Sequence, residues 1–516
     1  MASASRRVFG LGVAAGALAL VAAYLLRLFA GGSFLPELAS QAFFSVVPGQ
    51  IESNAVDTLG SLAKYTTYTV AIAVNLALYG LLSLFFLRIV ETDRSRSSVK
   101  ALVAAGISYA ITLVLSSLFL SITQINSQPI SLPTLAFELI FPQLVFGFAL
   151  VSLETRYLPT MREIVPSDLK PVDSGRRLLI AAGAGAVAVA LLALYGLGFL
   201  EQTNARSSDP SNFFANEVTS NDNFYRVDIN IFPPSIQSSS WSLKVGGLVD
   251  TPLTLSYDDI TALPSAEQYN TLECVSNVVG GDLMSNAQWK GVRLKDLLSS
   301  AGVNSSATYV VFKCADGYDV GIPLSKAMED GTILAYQMNG APLPQVHGYP
   351  LRALVPGYYG MMNPKWITEI SLADQTYEGF WQRQGWINEA QYETESTIVN
   401  LGDDALSDKF GIYSPTSVAF GAPITILGVA FAGERGISKV EVSTDNGSTW
   451  SSASLVAPPS VNSWVLWSFD WSPSARGSYT LSVRATDGEG NLQTQSAAAP
   501  FPGGASGWQS VAVSIN

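Results

Sequence analysis

Five runs of apolar residues with bilayer-spanning length occupy the first 200 positions, at about 8–30, 67–90, 101–122, 133–153 and 178–200. They are longer than buried core helices need to be, and too many for a signal peptide. Basic residues are spread unevenly between them. Arg6 and Arg7 precede the first run, Arg88, Arg94, Arg96 and Lys100 mark the second loop, and Arg156, Arg162, Lys170, Arg176 and Arg177 mark the fourth. The remaining loops hold Lys64 and little else that is basic. Lysine and arginine are retained on the cytoplasmic side, so the N-terminus reads as cytoplasmic, and five crossings leave everything after about Leu200 outside. Residues 31–66 are mixed; LPELASQAFFSVV is read as lying along the outer interface and the rest is unassigned. Glu138 and Pro142 interrupt the fourth run, and no basic intramembrane partner for Glu138 is visible.

Beyond Leu200 the pattern changes. Residues 201–220, with QTNARSSDPSN, are polar and read as a linker. Trp241, Leu243 and Val245 then alternate as on a half-buried strand, Gly246-Gly247 marks a turn, and Ser256 is placed to cap a helix opening at Tyr257. In TLECVSNVVGGDLMSNAQWKGVRLKDLL (271–298) a strand-like approach ends at Cys274. A turn at Asn277 and Gly280-Gly281, a corner at Trp289-Lys290-Gly291 and an amphipathic helix from Leu294 follow. A boundary is expected near Gly402. From there to Asn516 short strands are punctuated by Asp445-Asn446-Gly447 and Asp487-Gly488, the pattern of an immunoglobulin-like sandwich.

Charge separates the same two parts. The first 200 residues hold 13 Lys and Arg against 10 Asp and Glu, the remainder 16 against 31. So acidic a C-terminal part argues against nucleic-acid binding and suits a cationic soluble partner. Two cysteines, Cys274 and Cys314, exclude a four-cysteine zinc or iron–sulfur site. They leave three readings: two unrelated thiols, a metal-binding or nucleophilic thiol, or a disulfide closing about 40 residues and stabilising by about 3–4 kcal/mol. His347 is the single histidine, so a bis-histidine haem cannot be built from this chain alone, and no Cys-x-x-Cys-His site exists. An electron relay would then lie on another protein. SRRVFGL (5–11) and GRRLLI (175–180) each put two arginines ahead of an apolar run. Ordinary cytoplasmic charge accounts for both; the second also suits twin-arginine export of a domain already folded around a cofactor.

TLECVSNVVGGDL followed by WKGVRLKDLL resembles the cysteine-bearing segment of the sulfite-oxidase-type molybdopterin oxidoreductases. LAYQMNGAPLPQVHGYPLRALVPGYYGMMNPKWITEISL (334–372) is similar to the family's other signature, and VEVSTDNGSTW with LSVRATDGEGNLQ to its C-terminal domain. The resemblance runs from about Asn221 onward. It does not cover the first 200 residues, read above as a five-span α-helical membrane domain (1–200); for the rest of a multi-domain protein it implies an α+β molybdopterin-binding domain (221–401) and an all-β immunoglobulin-like domain (402–516). In that family the C-terminal domain commonly makes a dimer contact, so a homodimer is expected; the membrane anchor leaves the oligomeric state open.

What the resemblance implies for the site follows residue by residue. Molybdenum held by one pyranopterin dithiolene would take Cys274 as its protein ligand, with Asn277 orienting the loop behind it. His347, Arg352 and Lys365, with Asn363 and Pro364 through their backbone, match cofactor-holding positions. Tyr225 and Arg226 match a segment beside cofactor and pocket. Cys314 falls near a pterin contact, and Tyr336 matches a tyrosine near the metal. Sulfite oxidases carry an arginine soon after the cysteine, where this chain has Val278 and Val279. An anion pocket would therefore draw on Arg226, Arg293 or Lys313, with Arg226 the chief polar contact. The expected function is a membrane-anchored, extracytoplasmic oxidoreductase with a molybdenum–molybdopterin cofactor and no haem. It would transfer an oxygen atom to or from a small substrate and exchange electrons with a soluble cytochrome, a cupredoxin or a membrane redox subunit. The alternative is a catalytically inactive molybdopterin-domain protein acting as a membrane-bound binding or assembly module.

Overall fold

The computed structural model describes residues 2–30, 32–59, 62–90, 97–123, 132–157, 209–230, 233–421 and 423–516. They fall into two compact units, one of residues 1–46 and 61–203, the other of residues 47–60 and 204–516. The first unit holds α1 (Ala2–Ala30), α2 (Leu35–Val46), α4 (Leu62–Val90), α5 (Ser97–Thr123) and α6 (Leu132–Tyr157), whereas α3 (Gly49–Leu59) folds with the second.

Four helices of the first unit are long and apolar enough to cross a bilayer, over Arg7–Phe29, Thr66–Phe86, Ser97–Leu120 and Pro133–Arg156. These are the first four expected spans. The fifth, 178–200, lies outside the described residues together with Arg176 and Arg177, so four spans are described where five were expected. All of LPELASQAFFSVV but its last residue forms a helix, α2. Several polar side chains inside this unit are satisfied locally: buried Gln143 accepts from Ser108 (2.5 Å) and Tyr79 (3.3 Å). Glu138 accepts from the Ser33 amide and hydroxyl at 2.8 and 2.7 Å, while Arg27 pairs with Glu37 at 3.0 Å.

The second unit opens on α7 (Pro210–Ala215), capped by the Asp209 side chain. This corrects the linker assigned to 201–220. Its end is folded because the two phenylalanines after the polar run bring apolar surface: Phe213 is fully buried against Phe410, their rings 4.5 Å apart. Ten strands follow: β1 (Ser242–Gly247), β2 (Leu253–Ser256), β3 (Ser265–Glu273), β4 (Met284–Arg293), β5 (Tyr309–Cys314), β6 (Asp319–Pro323), β7 (Ile333–Met338), β8 (Ala341–Pro342), β9 (Arg352–Leu354) and β10 (Ile367–Ala373). One mixed sheet runs β2-β1-β10-β5-β6; the other runs β3-β4-β7-β8, with β9 pairing on β7.

Local rules explain several junctions. Trp241, Leu243 and Val245 are buried along β1 as their alternation predicts. Ser256 and Asp259 form a reciprocal capping box on α8 (Tyr257–Ala262), an arrangement worth about 1 kcal/mol. α9 (Leu294–Ala301) buries Leu294, Leu297, Leu298 and Ala301, a helical stripe. Trp289-Lys290-Gly291 is not a corner. Those residues continue β4, and a register shift in its pairing with β7 between Lys290 and Gly291 supplies the bend expected of a turn.

The C-terminal sheets are β11 (Glu395–Ile398), β12 (Ser417–Val418), β13 (Ile424–Phe431), β14 (Ile437–Ser443), β15 (Ser451–Ser452), β16 (Ser454–Leu455), β17 (Val465–Trp471), β18 (Gly477–Asp487) and β19 (Ser510–Ile515), ordered β11-β13-β17-β16 and β12-β19-β18-β14-β15. β11 pairs with β13, so this part begins a few residues before the expected boundary at Gly402. Asn446 and Gly447 take left-handed conformations between β14 and β15, the hairpin chemistry read from Asp445-Asn446-Gly447. Trp464, Leu427 and Phe431 belong to the same buried cluster as Val275, Tyr359 and Trp386, so the all-β part shares a core with the region before it.

Candidate active site

β3 pairs with β4 along its full length, from Ser265 opposite Val292 to Glu273 opposite Met284. Cys274 is the first residue beyond the ladder. Its amide donates to Leu283 O (2.9 Å) and its carbonyl accepts from Asn277 N (2.9 Å), which closes a tight turn. Asn277 stands behind that turn, donating to Glu273 Oε1 at 3.1 Å and accepting from Leu283 N at 3.0 Å.

Cys274 looks into a cleft with about 790 Å³ of atom-free space. Tyr225, Asp228, His347, Arg352, Asn363, Pro364 and Lys365 also line it, as do Glu52, Trp381 and Trp386. Of the residues read from sequence, Cys274, Tyr225, His347, Arg352, Asn363, Pro364 and Lys365 therefore meet on one surface. Asn277, Cys314, Tyr336 and Arg226 are not among the lining residues. Tyr336 sits buried in β7, within electrostatic reach of Tyr257 and Lys290. Cys314 ends β5 inside the apolar core, where burial raises its thiol well above the ordinary range. Both cysteines are free, which removes the disulfide reading.

Each of the alternative anion-pocket cations has a carboxylate neighbour. Arg226 pairs with Asp228 at 2.7 Å, Arg293 with Asp330 at 4.0 Å and Lys313 with Glu369 at 2.9 Å. Arg293 and Lys313 do not line the cleft.

Lys365 donates to Asp228 Oδ2 (3.2 Å) and to two main-chain carbonyls, with its ammonium 4.4 Å from the Trp366 ring centre. Burial holds its pKa down to about 8, Asp228 pulls it up, and Arg226 and Arg352 push it down. Arg352 lies 5.0 Å from the centre of the Trp289 ring and donates to His347 O (3.1 Å) and Asn363 O (3.3 Å). Burial lowers its pKa to about 10, and its Nε is buried without a partner. His347 Nε2 carries a proton, because it faces the Asn221 carbonyl at 2.7 Å. Burial is the main reason its pKa falls to about 3, with Lys365, Arg352 and Arg226 adding to the shift. Gly348 fits between these groups at a φ of 116°; a Cβ there would lie 3.1 Å from the Cβ atoms of both Arg352 and Lys365.

Around the sulfur the balance is different. Burial pushes the Cys274 thiol up to about 12, hydrogen bonds from Ser276 oppose that shift, and the charges of Glu52 and Glu273 reinforce it. In such surroundings a thiolate needs a cation bonded to it. Among the described residues no group of three or more His, Cys, Asp or Glu side chains could hold a metal by itself. A metal here would have to bring most of its own ligands.

Two family matches cover this part of the chain: the oxidoreductase molybdopterin binding domain over residues 230–381 and the Mo-co oxidoreductase dimerisation domain over residues 412–513. The uncharacterized oxidoreductase YuiH of Bacillus subtilis is 37% identical over 148 residues, 29% of this chain and 73% of that protein. The chain belongs to the sulfite-oxidase-type molybdopterin oxidoreductases. It is a molybdopterin-dependent enzyme of that family, with the family's C-terminal dimerisation domain. Mouse mitochondrial sulfite oxidase is 30% identical over 301 residues, 51% of this chain, and the chain spans just over half (55%) of that relative's length. A solved structure, the sulfane dehydrogenase SoxCD of Paracoccus pantotrophus, aligns at 21% identity and a TM-score of 0.49, covering 58% of this chain and 83% of that one.

The cleft fits the family's cofactor. An anionic terminal group would give the unpartnered Arg352 Nε an acceptor and relieve the mutual repulsion of Arg352, Lys365 and Arg226. A single soft thiolate is what a metal already chelated by a dithiolene lacks. Sequence reasoning missed Asp228, Trp381, Trp386 and Glu52. For Asp228 a signal existed, the Arg-x-Asp spacing of Arg226 and Asp228 on an extended segment; for the others there was none.

Proposed function

We propose that this protein is a membrane-anchored, extracytoplasmic molybdenum oxidoreductase that carries out a two-electron oxygen-atom transfer on a small uncharged or weakly charged molecule. When bound, a molybdenum–dithiolene centre supplies two-electron redox chemistry and exchange of an oxo group. Cys274 holds the metal. Arg352, Lys365 and neutral His347 receive the anionic end of the pterin, and the Asn363 carboxamide fixes their loop by donating to the Tyr358 and Tyr359 carbonyls (3.1 and 3.0 Å) and accepting from Val355 N (2.7 Å). The half-buried Tyr225, within electrostatic reach of both Cys274 and Arg352, would donate a hydrogen bond from its phenol to a group held between the two. Trp381 and Trp386 exclude water from the cleft wall.

The observation that carries the substrate class is the engagement of Arg226, Arg293 and Lys313 in ion pairs, beside a thiol whose charged neighbours are carboxylates. A sulfite dianion entering there would lose hydration with little to replace it. Steady-state kinetics on the metal-loaded protein test this reading. Sulfite should be turned over poorly relative to a neutral sulfoxide; a sulfite kcat/KM near 10⁶ M⁻¹s⁻¹, inside the range of about 10⁴–10⁸ for efficient enzymes, would overturn it.

Sidedness has its own support. Arg6 and Arg7 precede the first described span and Arg156 ends the fourth, so on the positive-inside reading residues 47–60, which follow the first span and fold with the cleft, are extracytoplasmic. The acidic part suits a cationic one-electron carrier, and the dimerisation domain suits a homodimer.

A further inference from the structure

One wall of the cleft comes from far outside the family-matched region. Residues 47–60 precede the second membrane span in the chain but belong to the compact unit that contains the cleft. Their helix, α3, begins at Gly49, where an added Cβ would lie 2.5 Å from Trp386 Nε1, 2.8 Å from its Cδ1 and 3.0 Å from Gln384 O. The start of α3 therefore lies against a tryptophan that itself lines the cleft, at a distance only glycine permits. Glu52, in the first turn of the same helix, also lines the cleft, and its charge reaches the Cys274 sulfur.

We infer that Glu52 is a specificity-determining residue, delivered by the chain segment between two membrane spans, that screens anions out of the reaction cleft and leaves it to uncharged or cationic substrates. The inference rests on the reading of the cleft as a molybdenum site. In a partly enclosed cleft a fixed carboxylate repels a dianion twice as strongly as a monoanion and leaves a neutral dipolar oxide almost unaffected, and salt weakens the repulsion. The packing of Gly49 on Trp386 makes the position of the carboxylate depend on how α3 is seated. Selectivity should then respond to two independent changes: neutralising the carboxylate, and wedging the helix away while the carboxylate is kept.

The test compares full-length, metal-loaded wild-type protein in detergent with Glu52→Gln and Gly49→Leu. One readout is the ratio of kcat/KM for sulfite to that for dimethyl sulfoxide. The other is sulfate affinity, from quenching of tryptophan fluorescence, which needs no turnover. Both variants should raise the sulfite-to-sulfoxide ratio and tighten sulfate by about tenfold or more at low ionic strength, with the gain shrinking at high salt. Molybdenum content should be unchanged in Glu52→Gln. Sulfate affinity within twofold of wild type in Glu52→Gln overturns the inference, whatever the turnover. Tightened sulfate without turnover of any small oxide would leave Glu52 as the anion screen and overturn the proposed reaction instead.

Discussion

Around Lys365 the cleft gathers Arg352 and the His347 imidazole, with the charge of Arg226 acting from outside the lining, whereas around Cys274 the nearby charges are the carboxylates of Glu52 and Glu273. The two neighbourhoods share one concavity and present opposite electrostatics. The cationic one holds Lys365, Arg352 and Arg226 against two carboxylates, Asp228 and Asp316, so one positive charge is left for an anion to balance. The charges that act most on the thiol are carboxylates. On the proposed function, holding the cofactor and choosing the substrate fall to different groups, so changing one should have little effect on the other.

The largest effect should come from Cys274→Ser. Exchanging a soft thiolate for a hard hydroxyl should lower dye-linked turnover by about a thousandfold or more, while the melting temperature changes by only a few degrees. Turnover near wild type would detach the chemistry from the thiol. Arg352→Ala should next lower pterin retention by about 10- to 100-fold, read as pterin fluorescence after denaturation. It also frees the His347 and Asn363 carbonyls, so urea unfolding should show a loss of about 2–4 kcal/mol. Retained pterin would break the assignment of the cationic neighbourhood.

His347 offers a gentler probe, because as the single histidine its imidazole resonances need no assignment by mutation. In cofactor-free protein its pKa falls from 6.5 to about 3, so the folded chain stays unprotonated where the unfolded chain takes up a proton. The contribution of His347 to stability is then complete above pH 6.5 and is lost toward pH 3, by at most about 1.4 kcal/mol per pH unit. NMR should show no titration between pH 5 and 8. A midpoint near 6.5 would mean that the imidazole is not buried where the fold puts it. The smallest effect is expected for Arg226→Gln: with the guanidinium tied to Asp228, sulfite kcat/KM should change by less than about threefold. A fall of tenfold or more would restore Arg226 as the main anion contact.

These contrasts also explain what could be read from the chain. Cys274, His347, Arg352 and Lys365 were legible because each stands in a short motif whose backbone delivers it to the cleft, just past β3 or around β9. The partner of Arg226 was not legible as such, although Asp228 is two positions away, because which cation a carboxylate neutralises is decided by folding. Trp289-Lys290-Gly291 was read as a corner because a bulged strand and a turn share glycine and polar residues. Glu52 could not be found at all. It sits in a stretch with no motif, more than two hundred residues before Cys274, and only the tertiary packing of α3 on Trp386 joins the two.

The central claim, that Cys274 supplies the one protein ligand to a molybdenum centre in this cleft, is tested most directly by X-ray absorption at the molybdenum edge on purified wild-type and Cys274→Ser protein. The account predicts about one molybdenum per chain in the wild type and one sulfur neighbour fewer in the variant, with pterin still bound. An unchanged sulfur shell in the variant, or a wild-type protein that carries pterin without molybdenum, would contradict it.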